Sequence, residues 1–257
     1  MVNGRERLGS SIVPERPVPF ARGFPMDWPM RPANFFQLDW LAHTRNFIQV
    51  WMPETVTAGE SILLFILREV VSFHFSSPWR GLWVHTFEKP RTLFLQGRWR
   101  AIPEGVELSL NLTNLSSEVW ENVNADVCVQ LVAAPDFADF ALERTFSISN
   151  RRLVPAAQPA SRQTVTHEYK MGERATENFI AVGSRTPGYV VAQWWEGPPQ
   201  VGGNCHPSIA CVHAVPSYGR IEPGQTVLRS GRLYLMRGTV ADAWKRYQKE
   251  RIESGKA

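Results

Sequence analysis

The chain has 257 residues, of which 44% are hydrophobic and 20% charged, and its net charge is +4. This composition is globular and excludes an intrinsically disordered chain. The basic residues are scattered, and no apolar run reaches the roughly 20 residues that cross a bilayer. We therefore expect neither a nucleic-acid nor a membrane partner. Three cysteines are too few for a disulfide framework, which favours reduced thiols and a cytoplasmic protein.

The N-terminal segment, residues 1–33, contains six prolines. Prolines at this density exclude a helix or a central strand, because each fixes φ and removes a backbone donor. The segment is predicted to be an extended arm that packs on the domain or reaches a partner subunit, so a homo-oligomer is a possible state. Residues 34–257 are then predicted to form a single domain.

Most of that domain has a strand pattern. In 106–113 and 123–133, apolar residues alternate with polar ones, as expected of half-buried antiparallel strands. Further strands are predicted at 46–51, 61–75 (one bulged strand or two), 92–100, 189–195, 208–215 and 225–236. Many strands and few helices predict an all-β fold, a large two-sheet antiparallel β-sandwich.

Two helices are predicted, a short one at 136–142 and a longer one at 240–253. In the longer helix Val240, Trp244, Tyr247 and Arg251 form one stripe at helical spacing. Thr239 is its predicted N-cap, with Asp242 three residues later as a variant of the capping box. The fold is therefore expected to end with one C-terminal helix.

Two stretches resemble a known family. Residues 100–131 (RAIPEGVELSLNLTNLSSEVWENVNADVCVQL) and 221–238 (IEPGQTVLRSGRLYLMRG) are similar to strands of the galactose mutarotase-like supersandwich superfamily. The resemblance covers about 50 of the 257 residues and implies sugar binding on a concave sheet. In enzymes of that superfamily a histidine and a carboxylate open and close the sugar ring. No full catalytic set aligns here, so no catalytic residue is transferred from the family.

The densest group of polar residues lies at 202–219. Histidine is an acid or base near neutral pH, and the glycines allow a ligand to approach the backbone. Alternatively, these side chains satisfy local hydrogen bonds and Cys211 is a core thiol. Zinc is a third reading, but Cys-x-x-Cys and His-x-His spacings are absent, so we expect no metal and no cofactor. In one extended strand Cys211 and His213 share a face, and His206 joins them only if the chain turns at Pro207. The candidates are His206 and His213 as acid–base groups and Asn204 as a ligand-binding residue.

A second candidate group lies at 77–85. Here Trp79 and Trp83 can stack on a sugar ring, Arg80 can bind a hydroxyl or carboxylate, and His85 can act as an acid or base. The alternative interpretation is a tryptophan-lined corner of the core.

Two more carboxylates have neighbours suited to a polar ligand. Glu143 and Arg144 can form an acid and a guanidinium clamp, and Trp195 with Glu196 offers an aromatic ring and a carboxylate at a strand end. Exposed helix charges, or core plus surface charge, explain them equally well.

Three functions remain open. The first is a carbohydrate-active enzyme, an epimerase, mutarotase or lyase, that uses histidine acid–base chemistry in a tryptophan-lined cleft. The second is a non-catalytic carbohydrate-binding or assembly module. The third is a metal-dependent cupin-like enzyme that uses His85, His206 and His213. The expected ligand in the first two is a small carbohydrate, and which sugar or reaction is involved stays open.

Overall fold

The computed structural model describes residues 12–14, 36–40, 45–66, 74–79, 82–156, 168–171 and 174–253. Within these ranges the chain forms eighteen β-strands and one helix. They are β1 (Ile12–Pro14), β2 (Phe36–Trp40), β3 (Phe47–Ala58), β4 (Ser61–Phe65), β5 (His74–Trp79), β6 (Leu82–Lys89), β7 (Leu93–Ile102), β8 (Gly105–Asn114), β9 (Trp120–Gln130), β10 (Thr145–Ser149), β11 (Arg152–Pro155), β12 (Glu168–Lys170), β13 (Phe179–Gly183), β14 (Tyr189–Trp195), β15 (Val201–His206), β16 (Ile209–Ala214), β17 (Ser217–Ile221), β18 (Thr226–Arg237) and α1 (Val240–Glu253).

The strands form two nine-stranded sheets. Sheet I has the order β1-β2-β3-β9-β16-β15-β12, with β4 also paired to β3 and β17 also paired to β9. Sheet II has the order β11-β10-β13-β14-β18-β8-β7-β6-β5. The pairings between described strands are antiparallel. The predicted all-β antiparallel sandwich with one C-terminal helix is confirmed.

The main core lies between the two sheets, where apolar residues from alternate positions of each strand meet. In β8 and β9 the predicted alternation is confirmed, and the inward side chains are fully buried. A large aliphatic side chain buried in this way contributes about 1.5–3 kcal/mol of transfer free energy. These inward residues are Val106, Leu108, Leu110, Leu112, Val123, Ala125, Val127 and Val129.

Helix α1 packs on the outer face of sheet II, over β13 and β14. Ala243 and Tyr247 are buried there against a second apolar cluster that includes Phe179. The capping box is confirmed: the Thr239 backbone N–H donates to the Asp242 carboxylate at 2.9 Å, and the Asp242 N–H donates to the Thr239 hydroxyl at 3.3 Å. The helix therefore covers this part of the outer face of sheet II.

The predicted short helix at 136–142 is wrong, because this segment forms turns. The Asp139 carboxylate accepts hydrogen bonds from the backbone N–H groups of Glu143 and Arg144 and from the Thr145 hydroxyl. A side chain that binds nearby backbone N–H groups competes with helical hydrogen bonding, and that competition selects the turn here.

Of the predicted N-terminal arm, residues 12–14 form β1, which pairs with β2 in sheet I. The other residues of 1–33 lie outside the described part of the chain. In the described part, no helix combines the length and apolarity that a membrane crossing needs.

His85 is one of the polar side chains that link the two sheets through the core. His85 of β6 is 1% exposed, and its Nε2 lies 2.7 Å from the carbonyl oxygen of Met52 in β3. The Trp99 indole N–H donates to His85 Nδ1 at 3.0 Å, so the imidazole proton is on Nε2 and is donated to Met52. A Cβ on Gly97, opposite His85 in β7, would lie 1.9 Å from the ring, so this glycine makes room for the imidazole.

Burial lowers the pKa of His85 from 6.5 to about 4, which predicts a pH dependence of stability. Between these values the unfolded chain binds a proton at His85 and the folded chain does not. Folding free energy is therefore lost as the pH falls from 6.5 to 4, by about 3 kcal/mol. We expect urea unfolding to show this loss in the wild type and not in His85→Gln, which has no titrating ring. Parallel pH profiles of the two proteins would contradict the prediction.

Candidate functional site

The outward face of β9 carries polar residues in the middle of sheet I. Because Val123, Ala125, Val127 and Val129 point inward, the alternate residues point to the outer face of the sheet. These outward residues are Asn124, Asp126, Cys128 and Gln130.

The neighbouring hairpin of β15 and β16 adds three more polar groups to the same face. The pairing register sets His213 opposite Cys128, and Cys211 opposite Gln130. On the other side of β16, Asn204 of β15 is opposite Cys211. Residues directly opposite each other in an antiparallel pair project to the same side, so the register alone brings these side chains together.

A bulge in β3 adds a carboxylate. The register of β3 against β9 shifts between Trp51 and Thr55, so that residues 52–54 are opposite Val127 alone. The Met52–Pro53 peptide bond in this bulge is cis. Bulges redirect side chains and are frequent beside active sites, and this one places Glu54 next to His213.

We call Glu54, Asp126, Cys128, Gln130, Asn204, Cys211 and His213 the outer-face cluster. Its centre is the imidazole of His213: Nε2 lies 3.1 Å from Cys211 Sγ and 3.9 Å from Glu54 Oε2, and Nδ1 lies 2.9 Å from Asp126 Oδ2. The Gln130 amide donates to Cys128 Sγ at 3.2 Å, and Asn204 Oδ1 lies 3.1 Å from Cys211 Sγ. The histidine is thus fixed in orientation, with one nitrogen held by Asp126 and the other facing the remaining groups.

The cluster strongly perturbs its own ionisation. Burial raises the pKa of Glu54 to about 8, and the positive charge of His213 acts in the opposite direction. Burial also disfavours a charge on Cys211 and on His213. For Cys211, hydrogen bonding from Cys128 and the charge of His213 outweigh this effect of burial and lower the pKa to about 6. For His213, the negative charges of Asp126 and Cys211 and their hydrogen bonds outweigh the effect of burial and raise the pKa well above the usual value. Both shifts act in the direction of a thiolate at Cys211 and an imidazolium at His213.

Several acceptor atoms of the cluster are buried without a hydrogen-bond partner among the described residues. They are Glu54 Oε2, Asp126 Oδ1 and Gln130 Oε1. Buried polar groups are paired in the great majority of proteins, so three orphans in one cluster point to a ligand. The side chains of Glu54, His213 and Asp126 keep 14%, 16% and 30% of their surface exposed, which gives a small ligand a route to the cluster.

Of the sequence candidates, the structure brings His213 and Asn204 together in this cluster. His206 lies on the same face, because the chain turns at Pro207 between β15 and β16. Its Nδ1 accepts a hydrogen bond from the Ser208 backbone N–H at 3.1 Å. His206 is two residues beyond Asn204, roughly 7 Å further along the strand.

The second candidate group does not meet this cluster. His85 is in the core between the sheets, and Trp83 packs against that core from sheet II. The backbone of Trp79 lies in β5, also in sheet II, and Arg80 is outside the described residues. The three histidines of the cupin-like hypothesis are therefore not brought together. His85 lies on the inner face of sheet II, and His213 lies on the outer face of sheet I.

The remaining candidates also lie away from the cluster. Arg144 donates to the carbonyl oxygens of Asp136, Ala138 and Gly183, so its guanidinium fixes a turn. Glu143 is exposed beside it.

At the end of β14, Trp195 is 1% exposed within the main core. The Glu196 carboxylate accepts the Ser230 backbone N–H at 3.0 Å. Neither side chain joins the outer-face cluster.

Sequence reasoning missed four of the residues that matter most here. Asp126, Cys128 and Gln130 could have been found, because they occupy the polar phase of a clearly alternating strand. Cys128 is buried, as its valine neighbours indicate, but it lies in the polar phase and contacts polar groups. Glu54 gave no local signal, since its position depends on the bulge.

The fold is galactose mutarotase-like. The structure is similar to a galactose mutarotase-like protein from Lactobacillus casei, with a TM-score of 0.54 and 7% identity over 87% of this chain and 99% of that one. It is also similar to a protein from Escherichia coli K12 proposed to be an aldose 1-epimerase, with a TM-score of 0.51 and 8% identity over 80% and 96% of the two chains. At these identities the likeness shows the fold alone.

A third similar structure is an alpha-N-acetylgalactosaminidase from Bifidobacterium bifidum in complex with GalNAc. Its TM-score is 0.54 and its identity 15%, over 88% of this chain and 37% of that one. No protein-family profile and no curated protein sequence matches the chain.

Close strand packing behind the cluster predicts a sensitive glycine. A Cβ on Gly203 of β15 would lie 2.0 Å from the Cys211 carbonyl oxygen, and its φ is +155°. Gly219 in the same sheet also has a positive φ, of +69°, but a Cβ there meets no atom within 4 Å. We expect Gly203→Ala to lower the free energy of unfolding by at least about 1 kcal/mol more than Gly219→Ala, because only the first overpacks. Equal losses in urea denaturation would refute this.

Proposed function

We propose that this protein is a carbohydrate-active enzyme of the isomerase type, which binds a small sugar at the outer-face cluster and moves protons at the anomeric centre. The observation that carries the proposal is the pair of Glu54 and His213. Their Oε2 and Nε2 atoms are 3.9 Å apart, with Nδ1 of the histidine held by Asp126. Two proton-transferring groups on one face of a mutarotase-like sheet match what a hemiacetal reaction needs.

The reaction balances with these two groups. Opening a cyclic sugar requires one group to take the proton of the anomeric hydroxyl and another to donate a proton to the ring oxygen. The O–H electron pair becomes the second bond of the carbonyl, the bond between the anomeric carbon and the ring oxygen breaks, and the proton neutralises that oxygen. Closure on the opposite face of the carbonyl reverses the steps and gives the other anomer. Glu54, in the ionised form that predominates above its pKa of about 8, takes the first proton, His213 donates the second, and the two exchange these roles in reverse.

The other members of the cluster suit the rest of the sugar. Gln130 Oε1 and Asp126 Oδ1 are buried acceptors without partners among the described residues, and sugar hydroxyls are donors that satisfy such atoms. A lyase is less well supported, because removing a proton beside a sugar carboxylate is helped by a cation on that carboxylate. The cluster as defined contains no arginine or lysine.

The proposal is tested with Glu54→Gln and His213→Asn. We expect wild-type protein to accelerate the interconversion of the α and β anomers of at least one aldose in a panel of neutral sugars, measured by exchange NMR. Each variant should reduce the catalysed rate by about 10²-fold or more, the usual contribution of a general acid or base. The folded state of each is checked by circular dichroism.

Matched controls change the same residue types away from the cluster. Glu121→Gln alters an exposed carboxylate of β9 that pairs with Arg220, and His74→Asn alters an exposed histidine of sheet II. Both should keep the wild-type rate. Wild-type protein that binds a sugar without catalysing anomer exchange would overturn the proposal in favour of a binding module, and so would Glu54 and His213 variants as active as the controls.

A further inference from the structure

Two thiols and an imidazole nitrogen converge inside the outer-face cluster. The Sγ atoms of Cys128 and Cys211 and a ring nitrogen of His213 all lie within 4.8 Å of one another. In a tetrahedral zinc site a sulfur and a nitrogen ligand are about 3.6 Å apart, given metal–ligand distances of about 2.3 and 2.05 Å. The observed distance of 3.1 Å between Cys211 Sγ and His213 Nε2 differs from this by a small side-chain movement.

The next layer of contacts is that of a metal site. Nδ1 of His213 faces Asp126 Oδ2 at 2.9 Å, which directs Nε2 toward the thiols. Metal-bound histidines commonly hold their second nitrogen against a carboxylate in this way. The Gln130 amide donates to Cys128 Sγ at 3.2 Å, a hydrogen bond that a metal-bound thiolate retains.

The carboxylate of Glu54 can supply a fourth donor atom. Glu54 Oε2 is buried, has no hydrogen-bond partner among the described residues, and lies 3.9 Å from His213 Nε2. A bound cation would satisfy it. This orphaned oxygen is independent of the convergence of the two thiols and the imidazole, and both point to the same position.

We propose that Cys128, Cys211, His213 and Glu54 bind one thiophilic divalent metal ion of the zinc class. Two sulfurs, one imidazole nitrogen and one carboxylate oxygen are ligands that zinc accepts in tetrahedral geometry, whereas magnesium and calcium prefer oxygen ligands only. The ion enters along the partly exposed side chains of Asp126 and Glu54.

The metal site does not depend on the proposed sugar chemistry, but the two share the Glu54 carboxylate and Nε2 of His213. Nε2 of His213 has a single position for either a proton or a metal ion. Under the proposed function, a bound ion therefore stops proton transfer by His213, and metal occupancy inhibits turnover.

The first experiment uses the full-length wild-type chain, stripped of metal and kept reduced with a phosphine. Zn²⁺ is titrated against a chromogenic chelator, and Co²⁺ is added to a second sample. We expect one ion per chain and, with cobalt, the near-ultraviolet charge-transfer band of a thiolate ligand. A cobalt spectrum without a thiolate band, or no binding of either ion, overturns the proposal without any variant.

Variants then assign the ligands. Cys128→Ser and Cys211→Ser should weaken Zn²⁺ binding and reduce the thiolate band. Cys205→Ser is the matched control, because Cys205 lies in the same hairpin, is also buried, and faces the opposite side of the sheet. Asp126→Asn should weaken Zn²⁺ binding by about 10–100-fold and keep the thiolate band, as expected of a residue that positions a ligand.

The result that would overturn the assignment is a loss of binding in Cys205→Ser equal to that in Cys211→Ser. Sugar turnover is measured separately on the metal-free protein. Metal binding without turnover contradicts the proposed function and leaves the metal site standing. Turnover without metal binding contradicts the metal site and leaves the proposed function standing. Turnover that Zn²⁺ does not inhibit contradicts the link between them.

Discussion

The hydrogen bond from His85 to the Met52 carbonyl is the constraint on which the site depends. Met52 begins the bulge of β3, and two residues later that bulge places Glu54 on the outer face of sheet I. The imidazole reaches Met52 from the opposite sheet because Gly97 leaves space for the ring and Trp99 fixes its tautomer. A contact in the core thus supports the bulge that sets the Glu54 carboxylate beside His213 on the outer face.

The outer-face cluster carries a cost that the rest of the sheet must offset. Charging a buried carboxyl, thiol or imidazole group costs free energy, and the attraction between the charges repays this only when hydrogen bonds complete the arrangement. Here Asp126 and Cys211 pair with His213, but Glu54, Asp126 and Gln130 each keep an unpaired buried acceptor among the described residues. A polar network left incomplete in the centre of a well-packed sheet is better explained by a ligand than by stability.

Much of the fold follows from the alternation of apolar and polar residues and from capping and turn residues in the sequence. The alternation of β8 and β9 and the cap of α1 are local features, and local rules predicted them correctly. The same parity rule could have placed His85 in the core, since Trp83, His85 and Phe87 share one phase of β6. The candidate site was harder, because its members come from four strands and meet only through register. Cys211 and His213 were visible as a pair in one strand, whereas their contacts with Cys128 and Asp126 depend on β16 pairing with β9 across a long separation in the chain.

The imidazole nitrogen Nε2 of His213 connects these findings. Asp126 occupies Nδ1, so Nε2 is the nitrogen that faces the other groups. It contacts the Cys211 thiol, and under the two proposals it carries the proton for a sugar ring oxygen or binds a metal ion. Because one nitrogen has one lone pair, these uses exclude each other, and the neighbours decide between them. A second thiol at Cys128 favours a soft metal, since two sulfurs bind one ion together, whereas Glu54 serves either use as a ligand or a proton acceptor. Under the two proposals, the same seven side chains transfer protons when free of metal and hold Nε2 as a metal ligand when an ion is bound. Which state prevails then depends on the metal available to the chain and not on a change of fold.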